Sequence, residues 1–179
     1  MFGKPKTQTG VALFISLVLL LVLTIIGVSS VQTTSLEVRM TRNEHDSILA
    51  FQAAESALRD AEAVIETLAS TADFTDGGNN GLYNVADLGD EQIWQDEDVW
   101  DDANSRETET EVEHVQGQPR YIIEYVASVL REENAYQLDD PYASGGGDRV
   151  EIFRITARGI GGSANSQVTL QSSYGRILD

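Results

Sequence analysis

The chain reads as an α+β fold: one long N-terminal α-helix, membrane-spanning and then amphipathic, packed on a C-terminal antiparallel β-sheet. Three observations predict it. A run of 21 uncharged residues, Val11–Val31, follows a short basic leader. A helix-period apolar pattern carries on from that run with no proline between Pro5 and Pro119. Three β-patterned stretches close the chain, the last two joined by a short turn. The resulting divisions are a leader at 1–10, an apolar helix at 11–31, its amphipathic continuation at 32–72, an acidic loop region at 73–118 and a sheet at 119–179.

The apolar run comes first. At about 1.5 Å per helical residue it crosses a hydrocarbon core of roughly 30 Å. Its interruptions are Ser16, Thr24, Ser29 and Ser30, whose hydroxyls can bond back to the helix backbone. Lys4 and Lys6 precede it, which places the N-terminus in the cytoplasm and the rest of the chain across the membrane. The rival reading is a secretory signal cleaved before Val31, with small residues at Val28 and Ser30. The run exceeds the usual ~7–15 residue signal core, and the helical pattern continues past it.

That continuation places Ile48, Phe51, Ala54, Leu58, Ala61, Ile65 and Leu68 at steps of three and four, one face of a helix. The simplest reading is a single helix from about Val11 to about Ala69, with Phe51, Leu58, Ile65 and Leu68 as the residues that pack on the sheet. Gly27, close to Ser29, Ser30, Thr33 and Thr34, is its weak place, since glycine costs about 1 kcal/mol relative to alanine.

Between Asp87 and Glu113 there are 12 acids and one arginine. Such a run reads as a surface loop, with Trp94 and Trp100 anchoring it to the domain or, alternatively, to a partner. Residues 120–130 then read as a strand, with Tyr121, Ile123, Tyr125, Ala127 and Val129 on one face. Residues 131–148 read as a loop. Residues 149–159 and 166–174 read as two strands, paired as an antiparallel hairpin through GIGGSAN. One sheet face and one helix stripe both need covering, and packing them together covers both.

Composition narrows the function. Net charge is −17, and because no lysine follows Lys6, residues 32–179 carry all 29 acids against ten arginines. So acidic a body repels nucleic acid, and none is expected as a partner. With no cysteine, there is no disulfide framework and no thiol chemistry. His45 and His114 stand in different segments and read as solvated side chains. GIGGSAN breaks the dinucleotide-binding pattern at Ala164. Asp96, Asp98 and Asp101, or Asp139, Asp140 and Asp148, supply oxygen ligands, but neither spacing meets a calcium-loop pattern. No catalytic residue, metal or cofactor is expected.

A basic leader, a glycine, an unbroken apolar helix and then a sheet together resemble a type IV pilin. The stretch GVALFISLVLLLVLTIIGVSSVQTTSLEVRMTRNEHDSILAFQAAESALRDAE is similar to the N-terminal region of PilX minor pilins, and RITARGIGGSANSQVTLQSSY to their end. The resemblance implies removal of Met1–Gly10 by prepilin peptidase between Gly10 and Val11, and N-methylation of Val11. It implies that Leu13, Phe14, Ile15, Leu17, Leu19, Leu20, Leu23 and Ile26 sit first in inner-membrane lipid and later in a filament core at the cell surface. Implied partners are the peptidase, other minor pilins (PilV, PilW and FimT/FimU types), the major pilin and a tip adhesin of the PilY class. The implied role is initiation and assembly of a type IV pilus at or near its tip, supporting twitching motility and adhesion. The alternative is a type II secretion pseudopilin of similar architecture. One position departs from most pilins: Ile15 stands where they carry a glutamate thought to pair with a neighbour's terminal amine. A buried charge without a partner is costly, so this departure suits a subunit at or near the tip, or in an assembly-priming complex, rather than the repeating shaft.

Overall fold

The computed structural model describes residues 9–130 and 149–178. Most of the leader, residues 1–8, and the loop expected at 131–148 lie outside the described residues. The elements are α1 (Thr9–Thr67), β1 (Leu82–Asn84), β2 (Arg106–Glu107), β3 (Arg120–Leu130), β4 (Arg149–Ile160) and β5 (Gln167–Ile177). The chain forms two compact units, Met1–Glu44 and His45–Asp179.

In the first unit the backbone is helical throughout its described residues, Gly27 included. The weak place expected at Gly27 is therefore not a break. A glycine costs about 1 kcal/mol in a helix interior, and helix propagation is cooperative enough to carry that. The hydroxyls of Ser16, Thr24 and Ser30 donate to the carbonyls of Leu13, Leu21 and Ile26 at 2.8, 2.7 and 3.0 Å, which removes the polar cost of placing them in an apolar rod.

In the second unit the sheet has five strands, ordered β1-β3-β4-β5, with β2 also pairing β3. The pairs β3–β4 and β4–β5 are antiparallel, as the alternating sequences predict. The β1–β3 pair is parallel, so the sheet is mixed. Its inner face carries Tyr121, Ile123, Phe153, Ile155 and Ala157, which form one core with Ala57, Ala61 and Ile65 of α1. Burying each large apolar side chain here contributes about 1.5–3 kcal/mol. Phe74, just beyond the helix, joins this core with its ring 5.5 Å from that of Phe153.

Two details depart from the alternation read in the sequence. A bulge at Val126 shifts the β3 register between Tyr125 and Ala127. The extra residue turns Ala127 and Val129 away from the face of Tyr125, and both are exposed. On α1 the buried stripe is Ala50, Ala53, Ala54, Ala57, Ala61 and Ile65. Phe51 lies beside that stripe and is 47% exposed, which corrects its expected place in helix–sheet packing. The cause is the close approach of the two backbones, which admits only small side chains. Leu58 and Leu68 are partly buried against the core.

Candidate functional site

Two surfaces stand out among the described residues. The first is the apolar helix. Leu13, Phe14, Ile15, Leu17, Leu19, Leu20, Leu23 and Ile26 are all exposed, from 52% at Ile15 to 73% at Leu13. An uncharged cylinder this apolar is unstable in water, so it requires lipid or other apolar helices around it. Gly10 and Val11 are both helical and exposed, with nothing within 4 Å of a Cβ built at Gly10. Chemically this surface offers insertion and packing only.

The second surface is the sheet unit, and four devices fix its shape. At Gly159 on β4 a Cβ would lie 2.1 Å from the Ala50 carbonyl oxygen and 2.4 Å from the Ala54 nitrogen, so only glycine lets α1 lie this close. Next along the chain, the GIGGSAN turn is clamped to α1 by Asp46, which accepts from the Ser163 amide at 3.1 Å and from the Ser163 hydroxyl. The Ser163 hydroxyl bond, aided by amides of the turn, holds the Asp46 pKa below its ordinary value. At the C-terminal end of α1, Arg176 on β5 donates to the carbonyls of Ile65 and Leu68, the second at 2.9 Å. The Ile65 carbonyl also accepts from the Leu68 amide at 3.1 Å, so Arg176 adds to a helix end whose last carbonyls lack the usual helical donors. Tyr174 on the same strand donates to Glu66.

The fourth device is the cover on the outer sheet face. There β3 presents Arg120, Ile122 and Glu124, paired in register with Arg158, Thr156 and Arg154 of β4. The acidic region, expected as a surface loop, lies on them. It supplies β1, β2 and two 3-10 turns at Ile93–Gln95 and Glu97–Trp100. Tyr83, Val99 and Ile122 form a small core with Ile93 and Trp94. Arg120 reaches Asp102 at 2.7 Å and Glu107 at 3.2 Å, and Arg158 reaches Glu97 at 2.7 Å. The Arg158 guanidinium also stands 5.5 Å from the centroid of the Trp100 ring, and the Trp100 indole donates to the Trp94 carbonyl at 3.1 Å. Both tryptophans therefore anchor this region to the sheet.

The sequence held a signal for this cover. Along β4, Arg154, Thr156 and Arg158 alternate with Phe153, Ile155 and Ala157, which marks a polar second face. Nothing local said that the acidic region would lie on that face. The close approach at Gly159 and the clamp at Asp46 had no signal short of knowing which strand meets which turn of the helix.

No catalytic constellation appears among the described residues. An open cleft of about 600 Å³ is lined by Asp76, Tyr83, Gln92, Asp96 and Asp98, among others. Among the described residues no group of three or more potential metal ligands gathers. Asp139, Asp140 and Asp148 lie outside the described residues. His114 has its backbone at φ 65 and stands 3.9 Å from Glu113, and its side chain is 80% exposed. His45 is exposed on α1.

Residues 9–59 match the family model described as PilX N-terminal. Residues 66–176 match the model for the type IV pilus assembly protein PilX C-term. No curated protein and no solved structure matches the chain.

Proposed function

The chain belongs to the PilX family of type IV pilus assembly proteins, and on that premise we propose that it is a minor pilin acting in initiation of the pilus, at or near its tip. In this reading prepilin peptidase cuts between Gly10 and Val11, and Val11 is N-methylated. The subunit waits in the inner membrane with its N-terminus cytoplasmic and its sheet unit periplasmic. It then moves with the pilus to the cell surface. Its partners are minor pilins of the PilV, PilW and FimT/FimU types, the major pilin and a tip adhesin of the PilY class. Twitching motility and adhesion depend on it through the pilus that it helps to start.

The observation that carries this reading is the exposed, uncharged helix of Val11–Val31, continuous with the helix that packs on the sheet. A discarded signal has no reason to share one unbroken helix with the mature domain. Ile15 supports the tip position. With no carboxylate there, the subunit cannot neutralise the terminal amine of a neighbour, and a buried unpaired amine is costly. The test is the intact mass and N-terminus of the protein from its native host. A chain that begins at methylated Val11 is expected, and one that begins at Val31 would overturn the reading. Deletion is expected to abolish surface pili and leave protein secretion intact, which separates this role from that of a type II secretion pseudopilin.

A further inference from the structure

Glu124 is a group that the assembly role does not use. It sits in the middle of β3, on the outer face beneath the acidic cover. It is fully buried, and neither of its carboxylate oxygens has a hydrogen-bond partner. A buried carboxylate normally accepts several hydrogen bonds, because an ionised one without them loses its hydration for nothing. The neighbours of Glu124 do not make up that loss. Its register partner on β4 is Arg154, whose Nη1 stands 3.7 Å away, too far for a hydrogen bond. That same nitrogen donates to Gln92 of the cover at 3.2 Å. Its register partner on β1 is Tyr83, whose hydroxyl donates to the Asn104 carbonyl instead. From the cover itself, the acid Asp96 acts on Tyr83, and Ile93 and Trp94 bring apolar surface. Helix α1 packs on the opposite face and brings no charge to it.

We propose that Glu124 is a proton-operated latch: when protonated it lets the cover of residues 82–108 lie closed on the sheet, and when ionised it drives the cover open. The two halves of the device are a buried carboxylate with no hydrogen bond, whose ion pair with Arg154 is stretched to 3.7 Å, and a cover that is itself crowded with acids. Burial pushes the pKa of Glu124 above its ordinary value, and Arg154 only partly opposes this. The sign follows. The closed form binds its proton more tightly than the open form. Closure is therefore strongest below the ordinary carboxylate range and is lost as pH rises through the raised value. Arg154 ties the latch to the cover, since its hand-off to Gln92 is the contact that a newly ionised Glu124 competes for.

The chain reports on this itself, because its two tryptophans, Trp94 and Trp100, both lie in the cover. The experiment is acrylamide quenching of tryptophan fluorescence in the detergent-solubilised full chain, from about pH 5 to about pH 9. The quenching constant of the wild type is expected to rise roughly twofold over that range as the cover opens. Glu124→Gln, which keeps the shape and cannot ionise, is expected to stay low throughout. Arg154→Gln removes the cation that opposes the raised pKa of Glu124, so the closed form keeps its proton longer and the rise is expected at higher pH than in the wild type. A flat wild type overturns the proposal. So does an E124Q variant that rises with the wild type, because the other acids would then be responsible. If far-UV circular dichroism shows E124Q unfolded, Arg154→Gln decides, and an unshifted rise there overturns the latch.

Discussion

Replacing Gly159 with alanine tests the packing of α1 on the sheet at its tightest point. The new Cβ would sit 2.1 Å from the Ala50 carbonyl oxygen and 2.4 Å from the Ala54 nitrogen. Both are backbone atoms of a helix, so no side chain can swing aside. Restoring ordinary contact requires α1 to lift by roughly 1 Å over a stripe sealed by Ala50, Ala53 and Ala54. Overpacking of this kind costs about 1–3 kcal/mol, and the separated alanines lose contacts as well. Alanine offsets about 0.4–1 kcal/mol by restricting the unfolded chain. The net is a loss of about 2 kcal/mol, which for a chain of this length lowers Tm by about 4–8 °C. The assay is thermal unfolding of the solubilised full chain, followed by tryptophan emission. Gly117→Ala is the control, because a Cβ there meets only the Ile160 side chain at 3.5 Å. It is expected to melt within about 2 °C of the wild type. If G159A melts with that control, the close-approach argument is refuted.

Three further outcomes are expected. Arg176→Ala removes its hydrogen bonds to the Ile65 and Leu68 carbonyls, leaving Ile65 only the Leu68 amide, and lowers Tm by about 2–4 °C, read in the same melts. Asp46→Asn removes a group whose folded pKa is depressed by the Ser163 hydrogen bond. Its contribution is present above the ordinary aspartate range and lost as pH falls through the depressed value, so the Ser163 amide resonance should titrate with acid in the wild type and not in D46N. Leu19→Asp places a charge in the middle of the exposed apolar run. That costs about 2.5–3.5 kcal/mol at the centre of a membrane helix. The variant is expected to leave the membrane fraction or to abolish pili, and normal piliation would sink the filament-core role.

What the sequence made legible follows from the range of each interaction. The edges of β3 and β4 were readable to within one residue, because strand alternation and the flanking glycines are local signals. The helix end near Thr67 was readable for the same reason. The buried stripe of α1 was not. The three- and four-residue spacing put Phe51 among the packing residues, but the geometry at Gly159 selects alanines, and that selection depends on a residue more than 100 positions away. The bulge at Val126 was equally silent, since an extra residue in a strand leaves the alternation on either side intact. The acidic region is a surface loop for most of its length, with two short strands and two 3-10 turns, but its place on the outer sheet face was not legible. The counterions of its acids, Arg120 and Arg158, belong to other elements, and charge pairing across a fold leaves no periodic trace.

The pairing between cover and sheet is also lopsided, and that explains how so acidic a segment can pack at all. The side chains of Arg120 and Arg158 are only 16% and 15% exposed, whereas Asp102 and Glu97 are 98% and 79% exposed. The carboxylates keep nearly all their water and give up little by pairing. The guanidiniums sit at the interface on rigid strands, and Arg120 is further satisfied by the Ser105 hydroxyl at 2.7 Å and its carbonyl at 2.9 Å. A buried cation costs several kcal/mol if left unpaired, so the arginines hold the cover in place, while no single acid is indispensable. Surplus acids stay in solvent and keep the outer surface anionic. Any partner that meets this face must therefore bring cationic or neutral groups, and its attraction will fade with salt beyond a Debye length of about 8–10 Å.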